Sequence, residues 1–443
     1  MFPMKKNRKF QAALIIFSLT GQIARVVENM YFNVFIYKMF RASASDIALM
    51  VTASAIAATL TTILMGALSD RIGKRKIFMC AGYIAWGISI LSFALIRADV
   101  ISSLFGAVTG AASVGITLVI IMDCVMTFFG STANDAAYNA WLTDSTDPGN
   151  RGAAEGINSM MPLISILVVF GGFMGFDLDK ASSWSAIYCI IGGLVLLIGI
   201  LGFFLVEEAP VRNPDSLGYF ATILYGFRPD VIRKNAVLYV SMAAFMVFNI
   251  AIQIYMPYLI IYYEQTLGMA DYVLIMAPAI LLAAAVTFFF GRLIDRFGFR
   301  KTVLPSMLLL GLGFVLLYLV PSVIPAQGMA MKIPVFIGSL LMMSGYLSGM
   351  AAYGTQLRNY TPEHMAGRFQ GLRILSQVLI PGIIGPQIGA WVLRNAPTVA
   401  NSDGTFSFLP SADIFLASLL VLLFLTILLA AWLLLKKKDR RDR

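Results

Sequence analysis

Twelve long apolar stretches, at 11–39, 45–68, 77–97, 112–142, 153–175, 183–205, 236–263, 270–290, 302–321, 332–357, 369–393 and 412–435, constrain this chain more than any other feature. Each is long enough to cross a bilayer as a helix, which needs about 20 apolar residues. The 443 residues are 59% hydrophobic and 13% charged, against roughly 25% charged in soluble domains. That much apolar surface has no aqueous core to fill, so the expected fold is an all-α membrane protein of twelve transmembrane helices. In hydrocarbon every backbone polar group needs an internal partner, and a helix supplies one. The stretch 98–112, rich in Gly, Ala and Ser, fits either a loop or an early start of the fourth helix.

The basic segment 1–10 opens an apolar run that continues to about residue 37 and carries Arg25 and Glu28. A secretory signal has a short, uncharged centre, so this run reads as a retained first helix. Lys and Arg gather at the termini and in alternate loops: Arg71, Lys74, Arg75 and Lys76; Arg228, Arg233 and Lys234; Arg292, Arg296, Arg300 and Lys301; and the tail from Lys436. The other loops carry few, such as Lys38, Arg97, Lys180 and Lys332. Basic loops stay cytoplasmic, which places both termini inside, in a plasma (inner) membrane. The net charge of +10 follows from this placement and implies no nucleic acid partner; the tail adds a contact for anionic membrane lipids. Cys80, Cys124 and Cys189 lie in apolar runs without metal spacing and read as small core residues.

Connection 207–235, with an amphipathic piece at 217–232, splits the chain into six-helix halves, 1–206 and 236–443. The halves are repeats. Segment 66–76 reads GALSDRIGKRK and segment 291–301 reads GRLIDRFGFRK, identical at seven of eleven positions at an offset of 225. At an offset of 215, Ala136, Ala137, Tyr138, Leu142, Thr146, Gly152 and Gly156 face Ala351, Ala352, Tyr353, Leu357, Thr361, Gly367 and Gly371. Parallel repeats of a six-helix unit are a transporter architecture.

The repeated segment resembles the loop signature of the major facilitator superfamily, and the resemblance covers essentially the whole chain. It implies two pseudo-symmetric six-helix bundles, the major facilitator fold. A narrower resemblance, to the glycoside–pentoside–hexuronide:cation symporters that include melibiose permease, rests on Asn134, Asp135, Tyr138, Asn139 and Trp141, on the loop through Arg151, and on the tyrosine-rich first helix of each half. The sodium-binding carboxylate pair of that branch falls here near Ala58 and Thr62, and its helix-one aspartate near Gln22, so the chain departs from the sodium pattern.

Ionisable groups at bilayer depth cost about 2.5–3.5 kcal/mol each on insertion scales and are functional candidates by default. Arg25 and Glu28 share a face of helix one, and Gln22 and Asn29 extend it. Helix seven carries Asn249 and Gln253, the latter opposite Glu28 at the repeat offset. Asn134, Asp135, Tyr138 and Trp141 lie at helical spacing on helix four, a carboxylate with an aromatic face that suits a hydroxylated ring. The repeat puts Met350 opposite Asp135, so this carboxylate belongs to one half. Glu28, Asp123 and Asp135 are the candidates for cation coupling. Glu155 reads as a helix cap, and His364 lies in a loop. Gly66, Asp70, Arg71 and Gly73, with Asp295 and Arg296 in the copy, form the expected cytoplasmic gate, in which the glycines allow close approach.

No His-Glu-x-x-His, Gly-x-Ser-x-Gly or Walker sequence occurs. The expectation is a secondary transporter, not an enzyme, working without cofactor or metal as a monomer: a proton- or sodium-coupled symporter of a sugar-like solute. The alternatives are a proton-coupled drug exporter and a non-transporting receptor.

Overall fold

The computed structural model describes residues 8–105, 111–146, 151–208, 225–323, 329–361, 371–401 and 404–439. Among the described residues twelve helices are long and apolar enough to span a membrane: α1 (Arg8–Phe40), α2 (Ala44–Ser69), α3 (Arg75–Phe93), α4 (Ala112–Asp144), α5 (Gly156–Phe173), α6 (Ala181–Leu205), α7 (Ala236–Thr266), α8 (Val273–Phe297), α9 (Phe299–Val323), α10 (Ala330–Tyr360), α11 (Gly371–Leu393) and α12 (Asp413–Trp432). They fall into two compact units, Met1–Thr222 and Ile223–Arg443.

Local chemistry sets the helix ends. Ser43 caps α2 through a reciprocal capping box with Asp46. Gly73 closes that helix with φ 71, and its repeat mate Gly298 separates α8 from α9 with φ 72. Side chains with a Cβ rarely reach that region, which explains why the repeat keeps this glycine. The eighth apolar stretch ends at 290, but its helix runs on to Phe297, so most of the repeated segment is helical. The stretch 98–112 divides: Ala98–Phe105 forms a separate short helix, residues 106–110 lie outside the described residues, and helix resumes at Ala111.

In the first unit, α3 lies so close to α6 that a Cβ on Gly87 would overlap the Leu196 backbone. Phe32, Phe93, Trp184 and Tyr188 build an aromatic core beside this contact. The second unit repeats the device: a Cβ on Gly345 of α10 would overlap the Leu310 backbone of α9. Its core holds Tyr255, Phe314 and Phe415. Large apolar side chains such as Leu60, Ile121, Phe204, Phe288 and Ile427 stay exposed, as a lipid-facing surface allows. Cys80 is buried as expected, whereas Cys189 is exposed on α6 rather than in the core. Between α11 and α12 a hairpin pairs β1 (Thr398–Ala400) with β2 (Phe406–Phe408).

Candidate functional site

Two helices of the first unit leave regular α geometry where their charges sit. Val27–Tyr31 of α1 and Ser131–Tyr138 of α4 are π-helical. A π turn is wider, rotates the side chains that follow, and is common at functional sites. Asn139 Nδ2 donates to the carbonyls of Asn134 at 3.2 Å and Asp135 at 3.1 Å.

Arg25 is the centre of the site. Its Nη1 donates to both oxygens of Glu28, at 3.1 and 2.9 Å. Its Nη2 donates to Ser131 Oγ at 2.9 Å and to the Asp135 carboxylate. The guanidinium lies 5.5 Å from the Trp86 ring centroid, a cation–π contact. Side-chain exposure rises from 5% at Glu28 through 14% at Arg25 to 34% at Asp135. Asp135 is therefore the open end of the cluster and Glu28 the closed end. Asn134 Nδ2 donates to Asp135 Oδ1 at 3.2 Å, and Tyr83 Oη lies 3.1 Å from Asn134 Oδ1 while donating to the Phe17 carbonyl at 2.9 Å. Tyr138 Oη and Ser18 Oγ both reach Asn158 Oδ1, at 3.1 and 2.5 Å. Gln22 is half-buried and Asn29 exposed, so polar capacity continues along α1.

Beyond Glu28 the polar chain continues inward. Thr127 Oγ1 donates to Glu28 Oε1 at 2.6 Å and lies 2.8 Å from Ser54 Oγ of α2. Asp123 is 3% exposed, and its Oδ1 has no partner among the described residues. Asp123, Thr127, Ser131 and Asp135 stand four residues apart on α4, a polar stripe in an apolar helix. Sequence reading missed Thr127 and Ser131, though their spacing carried the signal. It also missed Trp86, Tyr83 and Ser54, which are single residues on other helices.

Trp141 lies elsewhere. It is 1% exposed, its Nε1 donates to the Glu207 carbonyl at 2.9 Å, and its ring packs 5.3 Å from Phe10. It offers no free face for a ring to stack on; the indole anchors the end of α6 instead. Nor does Thr62 point its hydroxyl at the site, since it donates to the Ala58 carbonyl of its own helix at 2.8 Å.

The sequence profile described as Major Facilitator Superfamily matches residues 14–386. This chain belongs to the major facilitator superfamily. It is accordingly a multi-pass membrane transporter, not an enzyme. Solved structures agree in fold. A bacterial homologue of the human lysosomal transporter Spinster, inward-facing and unoccupied, aligns over 99% of both chains with a TM-score of 0.66 at 14% identity. The nucleoside transporter NupG covers 96% of this chain and 99% of its own, with a TM-score of 0.65 at 13% identity. A D-xylose–proton symporter covers 94% and 96%, with a TM-score of 0.70 at 15% identity. No curated protein sequence matches the chain.

The superfamily signature takes different forms in the two halves of this facilitator. In the first, Arg75 is the buried arginine: Nε donates to Asp144 Oδ2 at 3.0 Å and Nη1 to Ser69 Oγ at 2.7 Å. Arg71 is exposed, and the Asp70 side chain lies outside the described residues. In the second, Arg300, Asp295 and Arg296 are all exposed, with Arg296 over Phe297 at 5.3 Å. The expected close approach at Gly66 is not found: a Cβ there would sit 3.8 Å from Ala136 Cβ, an ordinary contact, and Gly291 has open space. The conserved demand of the repeat is the turn at Gly73 and Gly298. The Glu155 side chain, His364, Gly367 and the first half of 217–232 lie outside the described residues. In the second unit Asn249 Nδ2 donates to the Phe245 carbonyl of its own helix at 2.8 Å, and half-buried Gln253 backs against Gly385 of α11.

Proposed function

We propose that this major facilitator is a cation-coupled symporter of a hydroxylated, sugar-like solute in the plasma membrane, with both termini cytoplasmic and the monomer as the working unit. One observation carries the reading. A single guanidinium, Arg25, is shared by two carboxylates of unequal exposure, and a third carboxylate, Asp123, is buried on the same polar stripe of α4. Three carboxylates against one guanidinium are short of positive charge in a low-dielectric setting, which favours taking up a proton or a metal cation. Glu28, Asp123 and Asp135 are the coupling residues. Asp135, with Gln22 and Arg25 beside it, is the solute-facing group, because an open carboxylate accepts hydroxyl hydrogen bonds and a guanidinium donates them. Asn134 positions it, and Tyr138 lies one turn further along the same helix. Asn249 and Gln253 are the polar residues α7 adds to solute binding.

A net-negative cluster disfavours an anionic solute, so within the glycoside–pentoside–hexuronide branch neutral glycosides and pentoses fit better than hexuronides. The likeness to proteins named as xylose and nucleoside transporters supports a polar solute. In proteoliposomes, Asp135→Asn should abolish gradient-driven accumulation and leave measurable exchange. Accumulation equal to that of the parent protein overturns the assignment of Asp135.

A further inference from the structure

The end of α8 and the start of α9 hold charge that no carboxylate answers. Arg292, Arg296, Arg300 and Lys301 are exposed, and none of the four forms an ion pair among the described residues. Three of them lie over phenylalanine rings instead. The Arg292 guanidinium stands 4.7 Å from the Phe288 centroid and 5.9 Å from that of Phe289. Arg296 and Lys301 stand 5.3 and 5.5 Å from the Phe297 ring. The rings are exposed as well, at 61%, 61% and 44%. A cation over an aromatic face is attracted to it without using its N–H donors. The donors are therefore left for an acceptor from outside the chain.

The charge continues an apolar stripe. Leu282, Ala285, Phe289, Arg292 and Arg296 follow one another at steps of three and four, which is one face of a helix. All five are exposed. The face is apolar along its length and cationic at its end.

The first half is built differently at the same place. At the offset of 225, Ile63, Leu64, Ala67 and Ile72 stand where the second half has Phe288, Phe289, Arg292 and Phe297. Arg75 is buried against Asp144, whereas its mate Arg300 is exposed, and the offset of 215 puts Asn359 opposite Asp144. Membrane topology asks only for basic residues in a loop, and both halves supply them. It does not ask for rings beneath the cations or for an arginine one turn inside the helix.

We infer that this end of α8, with the start of α9, binds an anionic phospholipid. Arg292 and Arg296 donate to phosphate oxygens of the headgroup, as guanidiniums do in paired fashion. Arg300 and Lys301 add charge, and an acyl chain lies along Phe289 and Leu282. Four cations face one carboxylate of the segment, exposed Asp295, so a headgroup that brings its own cation fits less well. The apolar stripe selects a lipid over free phosphate. In the orientation proposed above, this end meets the cytoplasmic leaflet, where anionic lipids gather.

The site needs neither solute nor coupling ion, so its test is independent of transport. The full-length protein, stripped of lipid in detergent, is titrated with phosphatidylglycerol, with phosphatidylcholine of the same chains and with inorganic phosphate, and bound lipid is counted by native mass spectrometry. Phosphatidylglycerol should be retained in preference to phosphatidylcholine, and millimolar phosphate should not displace it. Arg292→Gln should weaken its binding about fivefold, the worth of one basic residue at an anionic surface, and Arg292→Gln with Arg296→Gln should weaken it further. Equal retention of the two lipids overturns the proposal, because the chains alone would then be bound. Displacement by phosphate alone overturns the lipid as ligand. Unchanged phosphatidylglycerol binding in the double variant, with its melting temperature intact, assigns the lipid to another basic segment and overturns the site.

Discussion

Helices α1 and α7 are repeats of one ancestral position, yet they hold their bundles by different means. Helix α1 carries Arg25 and Glu28 in ion pairs that reach α4. On helix α7, Tyr258 and Tyr262 are buried and donate to the carbonyls of Pro386 at 3.4 Å and Leu317 at 3.2 Å, and Tyr263 shares a 2.7 Å hydrogen bond with Ser339. The irregularities of α7 are a 3-10 turn at Met256–Tyr258, placed by Pro257, and a π turn at Tyr262–Thr266. Duplication preserved the scaffold, namely the glycine turns and the close helix pairs. At the positions of Arg25 and Glu28 the second half has the neutral Ile250 and Gln253, and a neutral side chain is cheaper to bury than a charged one.

The largest effect that tests this contrast is loss of Arg25. Arg25→Met leaves the buried Glu28 and the partly exposed Asp135 without their cation, and should cost about 3–5 kcal/mol, read as a fall in melting temperature in detergent. Gln253→Met on α7 should cost less than about 1 kcal/mol. Equal losses would break the comparison.

Next comes the signature arginine. Arg75→Ala strands the buried Asp144 and should cost about 2–4 kcal/mol. Its repeat mate Arg300 is exposed, so Arg300→Ala should stay within about 0.5 kcal/mol. A larger penalty at Arg300 would show that the second signature is held as firmly as the first. Smaller again is the hydroxyl of Tyr83, which reaches Phe17 and Asn134; Tyr83→Phe should cost about 1–2 kcal/mol. Tyr262→Phe, with a single 3.2 Å bond, should cost about 0.5–1.5 kcal/mol; a reversed order would show the aromatic bundle to be the more hydrogen-bond dependent.

The smallest effect lies outside the membrane. Arg97 hydrogen-bonds the exposed Asp99 and holds its carboxyl below the ordinary range. The stabilisation is present above the ordinary carboxylate range and is lost as pH falls through the lowered value. Asp99→Asn should leave the melting temperature at neutral pH within error, since exposed pairs contribute little.

Much of the fold was legible in the chain. Apolar run lengths set twelve helices, and the copied signature set two like halves, because bilayer thickness and backbone satisfaction permit little else. Arg25, Glu28 and Asp135 stood out for a similar reason: charge is costly in hydrocarbon and therefore conspicuous. Spacing alone could not sort the helix-four residues. It grouped Trp141 with Asp135, but the π turn at Ser131–Tyr138 and the Glu207 carbonyl draw the indole into packing.

What the sequence by itself determined is periodic or costly: run length, repeat, turn glycines and buried charge. The tertiary structure alone decided which charges meet. Arg25 joins Asp135 across 110 positions of chain, and Thr127 joins Glu28 across 99. Ser54 acquires a role only where α2 packs on α4. A hydroxyl on an apolar helix looks the same in sequence whether it bonds back to its own carbonyl, as Thr62 does, or hands its hydrogen to a neighbour. Hydrogen-bond direction across helices depends on how they pack, and local sequence does not encode it.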